Sequence, residues 1–396
     1  MLTRENPKNG DQLSILGFGC MRFPMKGSSI DEPRSITLMR DAVEKGVNYF
    51  DTAYFYNGGK SEILLGKALE GGYREKVYIA TKLPPFMVSK LEGAKKIFST
   101  QLTKLNTDYI DYYLLHMLSD KATFDRMVSI GVVEWLEELK AEGKIKNIGF
   151  SFHGSKADFE EILRAYPWDF CQIQYNYMDE HNQATISGLR LAHSMGIPVI
   201  IMEPLRGGKL VNNLPGEVKE AFHSYAADRT PAEWALRWIW NHPEVTVVLS
   251  GMSDEGQLEE NVRIASDARA GALTEEELVI FDRVKKILHE RTKIPCTACG
   301  YCMPCPSGVN IPGCFAAYND KYLLGGKGSR KKYMQALGFL SKEPAYASRC
   351  TECGKCEKHC PQNIAIRREL KRVKKEMEGI FFRPALWVVR KVARVK

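Results

Sequence analysis

Between residues 15 and 270 the chain repeats one unit eight times, a short apolar run followed by a longer amphipathic segment. The short runs cover 16–20, 49–53, 77–82, 110–116, 145–151, 170–176, 198–204 and 245–251. They are rich in β-branched and aromatic residues and are bounded by Gly, Asn or Pro, as strands are. The intervening segments, 31–45, 61–69, 90–105, 132–142, 156–165, 184–194, 231–241 and 254–267, carry apolar residues at helical spacing. Eight strand–helix units in some 250 residues is the count of a closed (β/α)8 TIM barrel. An open, doubly wound sheet is the competitor. Its dinucleotide fingerprint is not completed, because Gly17-Phe18-Gly19 is followed by Cys20, Met21 and Arg22. Gly59-Lys60-Ser61 is no Walker loop either, since Tyr54 stands where the leading glycine belongs.

Active sites of such barrels lie at the C-terminal ends of the strands. The second run closes on Phe50-Asp51-Thr52-Ala53-Tyr54-Phe55-Tyr56, the third on Ala80-Thr81-Lys82, the fourth on Leu114-Leu115-His116. Singly, each polar residue has an ordinary structural use: Asp51 as a helix cap, Lys82 as a snorkelling strand-end lysine, Tyr56 as a core-edge aromatic, His116 as a satisfied buried histidine. Jointly, at the ends of three neighbouring strands, they converge on one rim.

In these residues the sequence resembles the aldo-keto reductase family, over residues 1 to about 290. The resemblance implies that Asp51, Tyr56, Lys82 and His116 form a catalytic tetrad, and that NADP or NAD binds in extended form at the same rim. It implies Ser151 and Gln172 as partners of the nicotinamide carboxamide, and Asn261 as a contact on the adenine side. Four positions depart from the family pattern. Phe152 stands where relatives carry Asn, Met202 where an aromatic stacks on nicotinamide, and Gly251 and Gln257 where a basic pair grips the adenosine 2′-phosphate, which leaves NADH as open as NADPH. The chemistry of the tetrad is direct. Hydride delivery to a carbonyl carbon leaves an alkoxide in need of a proton. A phenol of ordinary pKa, about 10, is a sluggish donor at neutral pH. A cation in reach lowers it by roughly 1–3 units. By the resemblance Lys82 is that cation, Asp51 would pair with it to hold it in place, and His116, if neutral, would donate to the carbonyl oxygen and orient it.

A different module follows. Thr274-Glu-Glu-Glu277 is a capping box opening a helix to about residue 290, with Leu278, Val279, Phe281, Val284, Ile287 and Leu288 as its apolar face. Of 11 cysteines only Cys20 and Cys171 precede position 296. Cys296, Cys299, Cys302 and Cys305 form C-x2-C-x2-C-x2-C-P, and Cys350, Cys353, Cys356 and Cys360 form C-x2-C-x2-C-x3-C-P. The second is the bacterial ferredoxin run unaltered, a specific signal for 4Fe–4S ligation. In such runs three thiolates wrap one cubane and the cysteine before proline reaches another, so two clusters are favoured over one. The first run departs in its last gap, which makes Cys305 the least determined ligand and Cys314 its rival. Zinc sites pair two C-x2-C units across a longer gap and fit less well, and disulfides belong to an oxidising compartment. The module resembles the ferredoxin-type extensions of a subset of aldo-keto reductases, a small, mainly helical iron–sulfur domain. The expected division is a barrel over 1–290, a 4Fe–4S domain over 291–365 and a basic tail over 366–396.

Charge is concentrated in that tail. The chain carries 56 Lys+Arg and 48 Asp+Glu, but residues 361–396 hold 11 basic and three acidic residues, so residues 1–360 are neutral overall. A nucleic-acid-binding protein is therefore not indicated. The tail, Arg367 to Glu378 and then Phe381 to Arg390, fits a peripheral membrane contact, an acidic partner, or a packed helix with a solvated face. No apolar stretch reaches the ~18 residues of a spanning helix, and the first residues lack a signal-peptide core; a cytoplasmic protein is the expectation. The function these features imply is an NAD(P)-dependent oxidoreductase that interconverts a small-molecule carbonyl and alcohol, with an iron–sulfur module suited to a redox carrier protein. The alternative is an electron-transfer protein whose barrel is a docking scaffold.

Overall fold

The computed structural model describes residues 1–27, 29–212, 214–226, 228–323, 329–338, 344–379, 382, 384 and 386. Eight strands, β1 (Leu16–Gly19), β2 (Tyr49–Asp51), β3 (Tyr78–Leu83), β4 (Ile110–Leu118), β5 (Ile145–Phe152), β6 (Phe170–Gln174), β7 (Val199–Met202) and β8 (Val245–Ser250), form a closed barrel. Every strand pairs in parallel with its sequence neighbour, and β8 pairs with β1. The barrel expected from the eightfold alternation is the barrel observed.

The interior follows from the two-residue period of a strand. Tyr49, Ala80, Tyr112, Leu114, Phe170, Ile200, Val247 and Leu249 pack together inside, with Leu13 below them. Large rings here demand small neighbours. A Cβ on Gly149 would come within 2.5 Å of the Phe170 ring, and one on Gly17 within 2.9 Å of Val247 and 3.3 Å of Tyr49. Two positions further along the same inward set come Asp51 after Tyr49, Lys82 after Ala80, His116 after Leu114, Ser151 after Gly149, Gln172 after Phe170 and Met202 after Ile200. The barrel's own packing thus carries these residues to one end.

Helices α1 (Glu32–Glu44), α2 (Lys60–Ala68), α3 (Leu91–Leu105), α4 (Lys121–Ser129), α5 (Val132–Ala141), α6 (Lys156–Ala165), α7 (Thr185–Ser194), α8 (Gly216–His223), α9 (Pro231–Trp240) and α10 (Glu255–Ala265) intervene. Local chemistry sets their starts: Asp31, Asp120, Ser155 and Asp254 each accept a hydrogen bond from a first-turn amide with a side-chain oxygen. The alternation did not reveal α4 or α8. It also missed two antiparallel pairs, Thr3–Glu5 with Gln12–Ser14 and Met25–Lys26 with Ser29–Ile30. The two pairs, of strands only two or three residues long, are too short to establish a period.

The chain forms two compact units, one of residues 1–205 and 232–274, the other of 206–231 and 275–396. The first contains the barrel. The second contains α8, α11 (Glu275–Arg291), α12 (Ile311–Leu323), α13 (Ser329–Ala336) and α14 (Ile366–Met377). Within it α8 joins α11 through the Phe222 and Phe281 rings, 5.9 Å apart, and through the Arg291–Glu217 pair at 2.5 Å. The apolar face expected of α11 needs one correction. Phe281, Val284 and Leu288 are buried, whereas Val279 is 63% exposed.

The second unit's core gathers Ile294, Val309, Ile311, Phe315, Tyr318, Tyr333, Tyr346, Ile364, Leu370 and Val373, with six of the clustered cysteines packed against it. On α14, Ile366, Leu370, Val373 and Met377 face this core, while Arg367, Arg368, Lys371, Arg372, Lys374 and Lys375 are exposed. The apolar stripe of that basic helix is therefore occupied within the unit, and a membrane surface would meet only its charged side. Beyond it, Phe382 is buried edge-on to Tyr346 at 4.9 Å. The rest of the 381–390 stretch, Pro384 and Leu386 apart, lies outside the described residues. No helix among the described residues is long and apolar enough to cross a membrane.

Candidate functional site

The rim at the C-terminal end of β2, β3 and β4 is built around Lys82. Its Nζ donates to both carboxylate oxygens of Asp51, each at 2.7 Å, and to the Thr52 carbonyl at 2.6 Å. Those are the three donors an ammonium has. Burial pulls Lys82 below the ordinary lysine value and Asp51 above the ordinary carboxylate value, and each charge pulls the other back. The ammonium lies over the Tyr56 ring, 5.0 Å from its centroid. Tyr56 meets His116 edge-on at 5.8 Å, and Phe55 stacks on that imidazole at 5.0 Å. The structure thus brings Asp51, Tyr56, Lys82 and His116 together.

His116 is buried, and its pKa is held well below the usual histidine value, by burial first and then by the Lys82 charge and His153. The ring is neutral at neutral pH. Its Nδ1 has no partner in the protein. A break in β4 accompanies it: the β4–β5 register shifts between Leu115 and Leu118, and Met117 takes a positive φ of 59°. The Met117 amide, turned out of the ladder, donates to Ser151 Oγ at 2.8 Å.

Ser151 and Gln172 are opposite one another on β5 and β6. Gln172 Nε2 contacts Met202 Sδ at 3.6 Å, and its Oε1 is buried without a partner. Asn261, on α10, is separate from this group: its Nδ2 donates to Ser250 Oγ at 3.0 Å at the end of β8.

Two polar networks at this end went unread in the sequence. Gln101 Nε2, with two hydrogens to give, lies within reach of Glu62 Oε1 (2.8 Å), Thr81 Oγ1 (3.1 Å) and the Lys82 carbonyl (3.1 Å), and Lys104 pairs with Glu62 at 3.3 Å. These side chains fix the backbone behind Lys82. Gln101 sits on the buried face of α3 with Ala94, Ile97 and Phe98; an amide in an apolar stripe was the available signal. The other network holds His153 against Gln183 at 3.2 Å, with Gln174 and Asp179 beyond. Burial pushes His153 down to about 4.

In the second unit the eight cysteines of the two runs line two cavities. Cys296, Cys299 and Cys302 share one with Cys360. Cys350, Cys353 and Cys356 share the other with Cys305. The last cysteine of each run therefore crosses to the other set. Cys314 lines neither; its buried thiol lies 3.8 Å from the Tyr333 hydroxyl and 3.7 Å from the Ala345 carbonyl. Among the described residues no three His, Cys, Asp or Glu side chains meet closely enough to hold a single metal ion. The corners of a cubane, by contrast, stand apart.

Comparison with known proteins locates both parts. The model of the Aldo/keto reductase family matches residues 15–285, and that of a 4Fe-4S dicluster domain matches residues 295–365. "Probable aldo-keto reductase 1" of Glycine max is 30% identical over 314 residues, covering 69% of this chain and 86% of that protein. L-galactose dehydrogenase of Arabidopsis thaliana is 27% identical over 289 residues, covering 68% of this chain and 89% of that protein. Among solved structures, the holo form of aldo-keto reductase AKR11C1 from Bacillus halodurans superposes with a TM-score of 0.59 at 29% identity, over 72% of this chain and 96% of that one.

Proposed function

Since the chain belongs to the aldo/keto reductase family and carries a 4Fe-4S dicluster domain C-terminal to the barrel in sequence, we propose that it interconverts a carbonyl and an alcohol with NADP or NAD, and that its cysteine module binds two 4Fe–4S clusters. One observation carries the first half: a fully bonded, buried ammonium lies over the Tyr56 ring beside a neutral imidazole with an unused nitrogen.

When bound, the dinucleotide supplies or accepts a hydride at the carbonyl carbon. Tyr56 gives the oxygen its proton, or takes it in the reverse direction. Lys82 stabilises the tyrosinate, and Asp51 with the Thr52 carbonyl fixes that ammonium. His116, being neutral, adds no second positive charge beside Lys82 and donates an N–H to the carbonyl oxygen.

A carboxamide needs both a donor and an acceptor, and the rim offers both. Ser151 Oγ accepts from Met117, which leaves its hydroxyl proton to give, while Gln172 Oε1 is an unused acceptor. The residues present therefore fit a nicotinamide amide, and Asn261 is assigned to the adenine side. The substrate is a small carbonyl compound; the L-galactose dehydrogenase relative makes sugar alcohols and lactols worth including.

The module fits its cofactor by the same criterion. Cys296, Cys299, Cys302 and Cys360 would hold one cluster, and Cys305, Cys350, Cys353 and Cys356 the other. Such clusters supply one-electron transfer, and exposed Cys353 marks a side open to a redox carrier protein.

The test is anaerobic purification, then titration with NADH and NADPH against a panel of aldehydes, ketones and sugar alcohols. Turnover that disappears in Tyr56→Phe while dinucleotide binding persists supports the enzyme. A wild-type protein that binds neither dinucleotide refutes it.

A further inference from the structure

The two cysteine runs are copies of one local structure. Both read Cys-Thr-x-Cys-Gly-x-Cys, at 296–302 and at 350–356. In both, the residue after Thr has a positive φ (Ala298 60°, Glu352 59°) and its amide approaches the first sulfur at 3.4 Å. In both, the glycine is left-handed as well (Gly300 83°, Gly354 74°). The repeated threonine is where the copies part. Thr351 lines the cavity of its own run too, but it is exposed and its hydroxyl is already within 2.9 Å of Ser307 Oγ. Thr297 is only 2% exposed, lines the cavity of Cys296, Cys299, Cys302 and Cys360, and has a hydroxyl with no partner in the protein.

A buried hydroxyl left unbonded is destabilising, and sulfur is the acceptor that a filled cavity would bring to it. We propose that the Thr297 hydroxyl donates a hydrogen bond to the cluster held by Cys296, Cys299, Cys302 and Cys360, and that Thr351 makes no such bond to its neighbour. This rests on the reading of the module as a two-cluster site. The consequence is a difference between the clusters. One-electron reduction adds a negative charge to the cluster, and a donor aimed at its sulfur stabilises that added charge, so Thr297 raises the potential of its own cluster. Electrons entering at the other cluster, on the side of exposed Cys353, then have a more favourable place to go.

The experiment is a dithionite titration of the full chain followed by EPR, with iron and acid-labile sulfide measured on each sample. Thr297→Val should make reduction of one couple about tenfold less favourable, a shift of 59 mV to more negative potential, and leave the other couple in place. Thr297→Ser keeps the hydroxyl and should restore the wild-type value; Thr351→Val should move neither couple. If Thr297→Val assembles poorly, wild type and Thr297→Ser still decide the matter by ENDOR in H2O and D2O, where a strongly coupled exchangeable hydroxyl proton should accompany one cluster in both. Unchanged potentials in a Thr297→Val protein of full iron and sulfide content, or absence of that proton, overturns the inference. Wild-type protein without iron and sulfide would instead overturn the cluster reading beneath it.

Discussion

The barrel rim and the cysteine module solve opposite problems. At the rim the chain completes its own charges: Lys82 has its three acceptors, Asp51 its cation, and the burial cost of each is offset by the other. In the module eight thiols line two cavities, and a threonine hydroxyl has no partner. A rim of the first kind is preorganised and should tolerate an empty state. A module of the second kind draws part of its folding energy from what it binds. The contrast predicts that substitutions at the rim damage chemistry and stability separately, whereas those in the module act through occupancy.

The largest effect expected is on turnover. Tyr56→Phe removes the proton donor and should lower kcat by about 10²–10⁴-fold, with iron content per chain unchanged; a matching loss of iron would mean that the two regions are not independent. Lys82→Met should be the most destabilising rim substitution, because it strands Asp51 as a buried, unpaired carboxylate. Removing one partner of such a pair costs about 3–5 kcal/mol, and chemical denaturation would read it. Asp51→Asn with Lys82→Met should recover part of that loss.

Acid should weaken the barrel through its histidines. His153 titrates near 4 in the folded chain and near 6.5 when unfolded. The unfolded state binds the proton first as pH falls, so the stability of neutral His153 is complete above about 6.5 and drains away toward 4, by roughly 3 kcal/mol in all. His116, shifted in the same direction, adds to the slope. His153→Gln should flatten the decline in denaturant midpoint between pH 6.5 and 4; an unaltered slope would remove His153 from the account. In the module, Cys360→Ala should remove the cluster belonging to the other run, halving iron and sulfide, while Cys314→Ala leaves both unchanged. Loss that tracks the 350–356 thiols would break the crossed pairing.

How much of this was legible in the sequence differs between the regions for a physical reason. Strand periodicity is local, so all eight barrel strands and their rim residues Asp51, Lys82 and His116 could be read from where apolar runs end. The cysteine runs are contiguous and declared their metal chemistry at once. The crossing of Cys305 and Cys360 followed from the cysteine that precedes proline in each run; what the sequence withheld was partnership across distance, that Gln101 reaches the Lys82 carbonyl and that His153 stands near His116. Such pairings are decided by packing between elements far apart in the chain. The threonine contrast was withheld too, since Thr297 and Thr351 sit in identical motifs and differ in burial and in the partner of the hydroxyl.

The smallest effect concerns α11, where a wide apolar run overstated the buried face. At 3.6 residues per turn, Val279 lies about 200° from Phe281, on the far side of the helix from Val284 and Leu288. Glu277 falls on the buried side instead and pairs there with Arg229. Val279→Lys should therefore change stability by no more than about 0.5 kcal/mol, whereas Leu288→Ala, a deletion inside the packed face, should cost about 2–5 kcal/mol. Thermal denaturation of the two variants at matched iron content distinguishes these outcomes. Comparable losses would place Val279 in a contact and restore the broader face that the run of apolar residues suggested.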